Sequence, residues 1–159
     1  MHCIGFDPYL PKDPRVLVLG SFPSVKSRAE GFYYGNPQNR FWKVLALAAD
    51  APTPATVEGK KALSEKTGVA LWDMVISCEI TGSMDKDIRD PVVADLNALL
   101  ARRDIPALIT NGATAYAILR KHFPALLPRT IPLPSTSPAN ARLRIETWIQ
   151  TLRLHIKKS

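Results

Sequence analysis

The sequence predicts an α/β fold in which helices cover both faces of a short, four-stranded parallel sheet, giving a three-layer α/β/α sandwich. Apolar runs without polar alternation recur along the chain, which is typical of strands buried on both faces. Segments with apolar residues at helical spacing lie between these runs. A length of 159 residues suits one domain, and we expect residues 1–159 to form it.

Four strands are predicted from these runs. Residues 15–19 (RVLVL), 69–72 (VALW) and 107–110 (ALIT) are continuous apolar segments. Residues 130–133 form a weaker fourth segment of the same kind. We expect all four strands to run parallel, because the helical patterns between them supply the crossover connections.

Helices are predicted from apolar periodicity and from capping signals. One apolar stripe recurs at helical spacing soon after the first strand: Phe41, Val44, Leu45 and Ala48. The last predicted helix carries a second stripe: Ile145, Trp148, Ile149, Leu152 and Ile156. Two further helix starts are predicted where a capping residue precedes a first-turn proline, namely Thr53 before Pro54 and Asp90 before Pro91.

Several classes of function are disfavoured by residues that the chain lacks. Cys3 and Cys78 are too few for a four-thiolate site, so we expect reduced thiols in a cytoplasmic protein with no metal and no cofactor. The histidines, His2, His122 and His155, lie away from the loops that follow the predicted strands. The sequence contains no GxxxxGK[ST], GxGxxG, GxSxG or HExxH motif. No run approaches the roughly 18 apolar residues of a membrane span.

Two polar loops are the candidate site. Residues 20–42 (GSFPSVKSRAEGFYYGNPQNRFW) and 133–141 (LPSTSPANA) both follow a predicted strand and lead into a helix. In a parallel sheet such loops converge on one crevice. The net charge of +7 favours a polyanionic partner. Five basic residues lie in or just after these loops: Lys26, Arg28, Arg40, Arg142 and Arg144.

At these loops the chain resembles the uracil-DNA glycosylase superfamily, and within it the hypoxanthine-DNA (deoxyinosine) glycosylases. The resemblance rests on ordered motifs: GSFPS, GFYYGNPQNRFW, ALWDMV, GSMDKDIRDP, ITNG and STSPANA. It extends from Val16 to about Trp148. Phe22 stands where the mismatch-specific uracil and thymine branch has the asparagine of GINPG, which favours the hypoxanthine branch. Asn36 stands where relatives often have histidine.

The resemblance implies a monofunctional base-excision repair enzyme. Such an enzyme flips a deaminated base, chiefly hypoxanthine, out of double-stranded DNA and hydrolyses its N-glycosidic bond. We expect it to act without a metal or membrane, as a monomer, in the cytoplasm and at the nucleoid. Two alternatives stay open: a glycosylase with mainly uracil or mismatch activity, and a DNA-binding module without catalysis.

The resemblance also assigns roles to residues of this chain. Asn39 matches the catalytic asparagine, which would orient the attacking water or stabilise charge as the bond breaks. The residues expected at the base are Phe22, Tyr34, Asn111 and Asp73. Those expected to hold DNA are Ser21, Pro23, Ser24, Lys26, Ser27, Ser135, Thr136, Ser137, Pro138, Asn140 and Arg142. Asn140, Ala141 and Arg142 would also fill the gap that the flipped nucleotide leaves.

Structural interpretations compete with some of these roles. Asn39 precedes a helix and could serve as its N-cap, and Asn111 before Gly112 could form a turn or a cap. Tyr33, Trp42 and Trp72 are interpreted as packing residues.

Overall fold

The computed structural model describes residues 2–80 and 88–158. The strands are β1 (His2–Ile4), β2 (Val16–Gly20), β3 (Val69–Asp73), β4 (Val75–Ile80), β5 (Ile88–Val93), β6 (Ala107–Asn111) and β7 (Thr130–Leu133). The helices are α1 (Val25–Glu30), α2 (Phe41–Ala48), α3 (Val57–Thr67), α4 (Leu96–Arg102), α5 (Ala113–His122) and α6 (Ile145–His155), with a 3₁₀ helix at Pro124–Arg129. The stretch GSMDKD of the motif GSMDKDIRDP lies outside the described residues.

A four-stranded parallel sheet in the order β3-β2-β6-β7 forms the centre of the structure. All five residues of β2 and all five of β6 are buried. Successive side chains of β2 point to opposite faces, so that Val16 and Val18 join one core while Leu17 and Leu19 join the other. The predicted parallel sheet and its four strands are confirmed.

Helices cover both faces of this sheet. On one face, Phe41 of α2, Leu63 of α3 and Trp148 of α6 belong to a core with many aromatic side chains. On the other face, Leu99 of α4 and Leu119 of α5 belong to a mainly aliphatic core. The predicted three-layer α/β/α arrangement is therefore confirmed, as are the apolar stripes of α2 and α6.

A second, antiparallel sheet in the order β1-β4-β5 was not predicted. The chain passes from β3 to β4 through Met74 alone. Cys3 lies opposite Cys78 in this sheet, and both cysteines are buried and are not joined by a disulfide. The predicted helix start at Asp90–Pro91 is wrong, because both residues belong to β5. Since β5 is an edge strand, Pro91 can occupy it without breaking the sheet.

The two predicted capping signals lie short of the real helix starts. Helix α4 begins after Asp95, whose carboxylate accepts a hydrogen bond from the Ala98 backbone N–H at 3.1 Å. Helix α3 begins after Thr56, not Thr53, and the Thr56 hydroxyl accepts from the Gly59 N–H at 3.0 Å. In both places a second capping residue further along the chain displaces the predicted one.

We expect alanine to be tolerated less well at Gly68 than at Gly31. Both glycines end a helix in the left-handed region, at φ 77° and 84° respectively, so alanine should cost each site about 1–2 kcal/mol through the backbone. A Cβ on Gly68 would also lie 2.8 Å from the Asp13 carbonyl oxygen, whereas no atom of residues 2–80 and 88–158 lies within 4 Å of a Cβ on Gly31. Urea unfolding of Gly68→Ala should show the larger loss of stability, and equal losses would contradict the steric argument.

Candidate active site

A cleft of about 550 Å³ opens at the carboxyl ends of the parallel strands. It is lined by the last residues of β2, β3 and β6, which are Gly20, Asp73 and Asn111, and by both polar loops. The predicted site residues that line it are Ser21, Phe22, Pro23, Ser24, Ser27, Tyr34, Asn39, Asp73, Asn111, Ser135, Thr136, Ser137, Pro138 and Asn140. Lys26 and Arg142 are exposed and do not line the cleft.

Asn39 and Asn111 are joined through a single hydroxyl group, that of Thr136. The Asn111 Nδ2 donates to Thr136 Oγ1 at 2.9 Å, and Thr136 Oγ1 donates to Asn39 Oδ1 at 2.8 Å. The Thr136 backbone N–H also donates to Asn111 Oδ1 at 3.0 Å. Thr136 is fully buried, and its hydroxyl is directed to the two asparagines. Its expected role in holding DNA stays a prediction.

Asn39 occupies the turn that leads into α2. Its Oδ1 accepts a second hydrogen bond, from the Phe41 backbone N–H at 2.9 Å, which closes an Asx turn just before the helix. The interpretation of Asn39 as the N-cap is wrong, because Arg40 occupies that position, and the bond to Thr136 serves no capping role. Among the described residues, no group accepts a hydrogen bond from the Asn39 Nδ2.

Tyr34 contributes an aromatic ring to the cleft. Its ring packs on Phe41 with the ring centres 4.5 Å apart. Its backbone adopts φ 54°, a left-handed conformation that is uncommon outside glycine and that clusters at functional sites. Burial, and then the charge of Asp73, raises the pKa of Tyr34 well above its ordinary value, although interaction with the Asn111 amide opposes this shift. The phenol therefore stays neutral in the physiological pH range.

The neighbouring aromatic residues are packing residues, as their sequence context indicated. Tyr33 is buried, and its hydroxyl donates to the Asp7 carbonyl oxygen at 2.8 Å. Trp42 is buried and donates from Nε1 to the Tyr33 carbonyl oxygen at 2.9 Å. Trp72 is partly buried against both cores.

Gly20 makes room for the polar floor of the cleft. A Cβ at this position would lie 2.6 Å from Asp73 Oδ1 and 3.3 Å from the Tyr34 hydroxyl. Asp73 itself is only 5% exposed. A residue with a side chain at position 20 would therefore displace the carboxylate or the phenol, which explains a glycine at the end of β2.

The loop at residues 135–140 is held in shape by its own hydrogen bonds. The Ser137 N–H donates to Ser135 Oγ at 3.1 Å, and the Ala139 N–H donates to Ser137 Oγ at 3.2 Å. The Asn140 side chain donates to the Ser135 carbonyl oxygen at 3.0 Å. The Asn140 side chain is therefore held within its own loop, whereas Ala141 and Arg142 are exposed. The expected role of these three residues in filling the DNA gap stays a prediction.

Arg40 is a residue whose position the sequence did not reveal. Its Nη2 donates to the carbonyl oxygens of Ser137 at 2.6 Å and Asn140 at 2.7 Å, and its backbone N–H donates to the Thr136 carbonyl oxygen at 3.0 Å. The sequence placed its charge at the crevice, but the guanidinium instead ties the start of α2 to the 135–140 loop. The residues that Arg40 binds lie about 100 positions further along the chain, so the sequence around Arg40 does not indicate that it holds this loop.

The first polar loop is partly helical. Residues 23–27 were expected to form a loop, yet α1 begins at Val25 after Ser24, whose hydroxyl accepts from the Ser27 N–H at 3.1 Å. Ser27 is 3% exposed, and its Oγ accepts from the Gly35 N–H at 2.8 Å. Ser27 therefore supports the turn that carries Tyr34, and its side chain is not presented to solvent.

The start of α5 was also missed as part of the site. Gly112, Ala113 and Thr114 line the cleft, and Gly112 adopts φ 101°, which favours glycine. No side chain in the described part of the protein caps this helix start, so its first N–H groups and the positive end of the helix dipole adjoin Asn111. The sequence feature that could have indicated this part of the site is Gly112, which lies between the buried strand β6 and the apolar periodicity of α5.

Two negative findings apply to residues 2–80 and 88–158. No helix in these ranges is long and apolar enough to cross a membrane. No group of three or more His, Cys, Asp or Glu side chains in these ranges could hold a metal ion.

Comparisons with known proteins give a consistent result. A family model described as the uracil DNA glycosylase superfamily matches residues 8–153. A hypoxanthine DNA glycosylase of Methanosarcina acetivorans is 33% identical over 144 residues, covering 87% of this chain and 88% of that protein. A hypoxanthine DNA glycosylase of Methanosarcina barkeri is 26% identical over 96 residues, covering 60% and 61% respectively. A solution NMR structure from M. acetivorans, described as a candidate uracil DNA glycosylase, matches with a TM-score of 0.80 at 30% identity, covering 97% of this chain and 98% of that one.

We expect Arg40→Met to loosen the 135–140 loop. Hydrogen bonds from a charged group contribute about 1.5–3 kcal/mol each, and this variant removes both bonds to the loop carbonyls. Hydrogen exchange followed by NMR should show faster exchange of the Ser137 and Asn140 amides. Arg144→Met, which changes an exposed arginine nearby, is the control. Unchanged exchange in Arg40→Met would contradict the role of Arg40.

Proposed function

The chain belongs to the uracil DNA glycosylase superfamily, and from this premise we propose that it is a monofunctional DNA glycosylase that removes deaminated bases, chiefly hypoxanthine, from double-stranded DNA. The observation that carries the proposal is the contact of Asn39 and Asn111 with one hydroxyl group in a cleft that also holds Tyr34. Two named relatives are hypoxanthine DNA glycosylases, which supports the choice of base.

The cleft suits a nucleobase that has left the helical stack. Flipping a base costs a few kcal/mol and costs least for an ill-paired base such as hypoxanthine opposite thymine. The ring of Tyr34, backed by Phe41, offers a flat surface on which such a base stacks. Phe22 and Asp73 would complete the surroundings of the base.

Asn111 is proposed to read the base. Hypoxanthine presents O6 as an acceptor and N1–H as a donor, and a carboxamide can satisfy both with its two ends. Each end of the Asn111 side chain makes one hydrogen bond to Thr136, which leaves one donor and one acceptor position on the amide for the base and for the neighbouring Tyr34 hydroxyl. The bonds to Thr136 hold this amide still before substrate arrives, which favours selective binding.

The chemical step needs no titrating catalyst in this proposal. As the bond between C1′ and N9 breaks, the sugar gains oxocarbenium character and the departing base gains negative charge. Fixed donors that face such a charge are worth about 2.7–4 kcal/mol each. Asn39 would act on the reacting nucleotide, and the N-terminus of α5 would add a favourable dipole near the base.

The rim of the cleft is proposed to hold the DNA backbone. Ser21, Pro23 and Ser24 lie on one side, and Ser135, Ser137 and Pro138 on the other. Backbone N–H groups and small hydroxyls are suited to phosphate oxygens. Lys26 and Arg142, which are exposed outside the cleft, would add charge along the bound duplex.

A glycosylase acting mainly on uracil is the second candidate. The solved structure described as a candidate uracil DNA glycosylase favours it. Phe22 argues against it, because the uracil and thymine mismatch branch carries an asparagine there.

An oligonucleotide panel tests the proposed function. Purified protein is incubated with duplexes containing inosine, uracil, xanthine or mismatched thymine, and then with alkali, which cleaves abasic sites. We expect the fastest cleavage with inosine. We also expect no strand breakage before alkali and no borohydride-trapped adduct, since a monofunctional enzyme forms no Schiff base. Release of no base from any duplex would refute the enzymatic function, and uracil as the preferred base would establish the second candidate.

We expect Asn39→Ala to abolish most of the activity while leaving duplex binding intact. Loss of a single catalytic donor typically lowers the rate constant about 10²- to 10³-fold. Single-turnover kinetics measure this loss, and fluorescence anisotropy measures binding to the inosine duplex. Asn97→Ala, at an exposed position of α4, is the matched control. Full activity in Asn39→Ala would contradict the assigned role.

A further inference from the structure

We propose that Thr136 is a positioning residue whose hydroxyl holds Asn39 and Asn111 in the orientation that their backbone partners select, and that it occupies the second lone pair of Asn39 Oδ1, so that Asn39 acts only as a hydrogen-bond donor. The proposal deepens the glycosylase function proposed above and rests on it. It concerns one buried hydroxyl that contacts both asparagines and, in this conformation, no solvent.

The direction of the hydrogen bonds is fixed at both ends by backbone N–H groups. The Thr136 N–H faces one atom of the Asn111 amide, and the Phe41 N–H faces one atom of the Asn39 amide. A backbone N–H can only donate, so both facing atoms must be oxygens. The other end of the Asn111 amide is then nitrogen, and it must donate to the Thr136 hydroxyl.

The Thr136 hydroxyl therefore has one arrangement available. It accepts from Asn111 Nδ2, and its single proton is donated to Asn39 Oδ1. The chain of bonds runs from Asn111 through Thr136 to Asn39 and cannot reverse. Because Thr136 is buried, no solvent competes for these bonds.

The consequence for Asn39 is chemical. Its Oδ1 accepts from Phe41 and from Thr136, which occupies both lone pairs of the carbonyl oxygen. The group that remains is the NH₂, whose nitrogen lone pair is delocalised and cannot accept a proton. Asn39 is thus suited to donating to a group that becomes negative, and it is unsuited to accepting a proton from the attacking water. The departing base is the group that gains negative charge in the proposed reaction.

Two variants of Thr136, and then Asn39→Asp, test the proposal in single-turnover assays on the inosine duplex. Thr136→Val keeps the shape of the side chain and the backbone bonds but removes the hydroxyl, and we expect its rate constant to fall about 10- to 100-fold. Its melting temperature should fall by a few degrees, because the buried Asn111 NH₂ loses an acceptor, while its duplex affinity should change little. Thr136→Ser restores the hydroxyl and should recover most of the lost rate. If Thr136→Val does not fold, Thr136→Ala takes its place in the comparison.

Asn39→Asp separates the donor role from an acceptor role. An aspartate keeps the oxygen that Phe41 and Thr136 bind but presents an acceptor to the substrate in place of the NH₂. We expect loss of activity comparable with Asn39→Ala. Substantial activity in Asn39→Asp would overturn the donor-only assignment, because a carboxylate could take a proton from water.

The remaining outcomes also decide the proposal. A Thr136→Val enzyme as fast as the unaltered protein overturns it, and so does an equal loss in Thr136→Val and Thr136→Ser, which would indicate packing alone. If the unaltered protein releases no base, the proposed glycosylase function fails. NMR of the carboxamide protons then tests, without any activity, whether the Thr136 hydroxyl holds the two asparagines. The positions and exchange rates of the Asn39 and Asn111 NH₂ signals should change in Thr136→Val, and unchanged signals overturn the proposal.

Discussion

Parallel pairing of β2 with β3 on one side and β6 on the other is the constraint on which the rest of the structure depends. It brings the carboxyl ends of the strands to one edge of the sheet, so that Gly20, Asp73 and Asn111 adjoin a common space. Because both faces of β2 are packed, the sheet has little freedom to shift. The cleft therefore has a rigid floor, and its walls are loops that the floor positions.

The polar groups of the cleft are ordered before any substrate binds. A buried amide without partners would be unfavourable by a few kcal/mol, and here Thr136 bonds to both ends of the Asn111 amide and to the Asn39 oxygen, which leaves the Asn39 NH₂ for the substrate. Low local dielectric strengthens each of these bonds. Such an arrangement is suited to neutral hydrogen-bond catalysis, in which direction and distance replace the charge of an acid or base.

Much of the fold could be predicted, because its signals are local. The apolar runs of β2, β3 and β6 and the stripes of α2 and α6 are visible in short windows of sequence. The sheet formed by β1, β4 and β5 could not be predicted in this way. Pro91 in β5 suggested a helix start, and β1 pairs with β4 across more than 70 residues of chain. The site residues lay in recognisable motifs, but their contacts did not. Thr136 touches residues 25 and 97 positions away, and Arg40 reaches Asn140, so burial and orientation had to come from the structure.

Only Met74 separates β3 from β4, so the chain below the cleft passes from one sheet to the other without a loop. Met74 is fully buried, its N–H donates to the Gly20 carbonyl oxygen at 2.8 Å, and its own carbonyl oxygen accepts from Ala94 at 2.8 Å. An inserted residue here would either turn the following side chains of β4 to the opposite face or have to be absorbed as a further irregularity in the pairing with β5. In the first case Cys78 would leave the cluster that it forms with Cys3 and Val75, and Glu79 would face that cluster. The length of this junction therefore constrains the second sheet as well as the floor of the cleft.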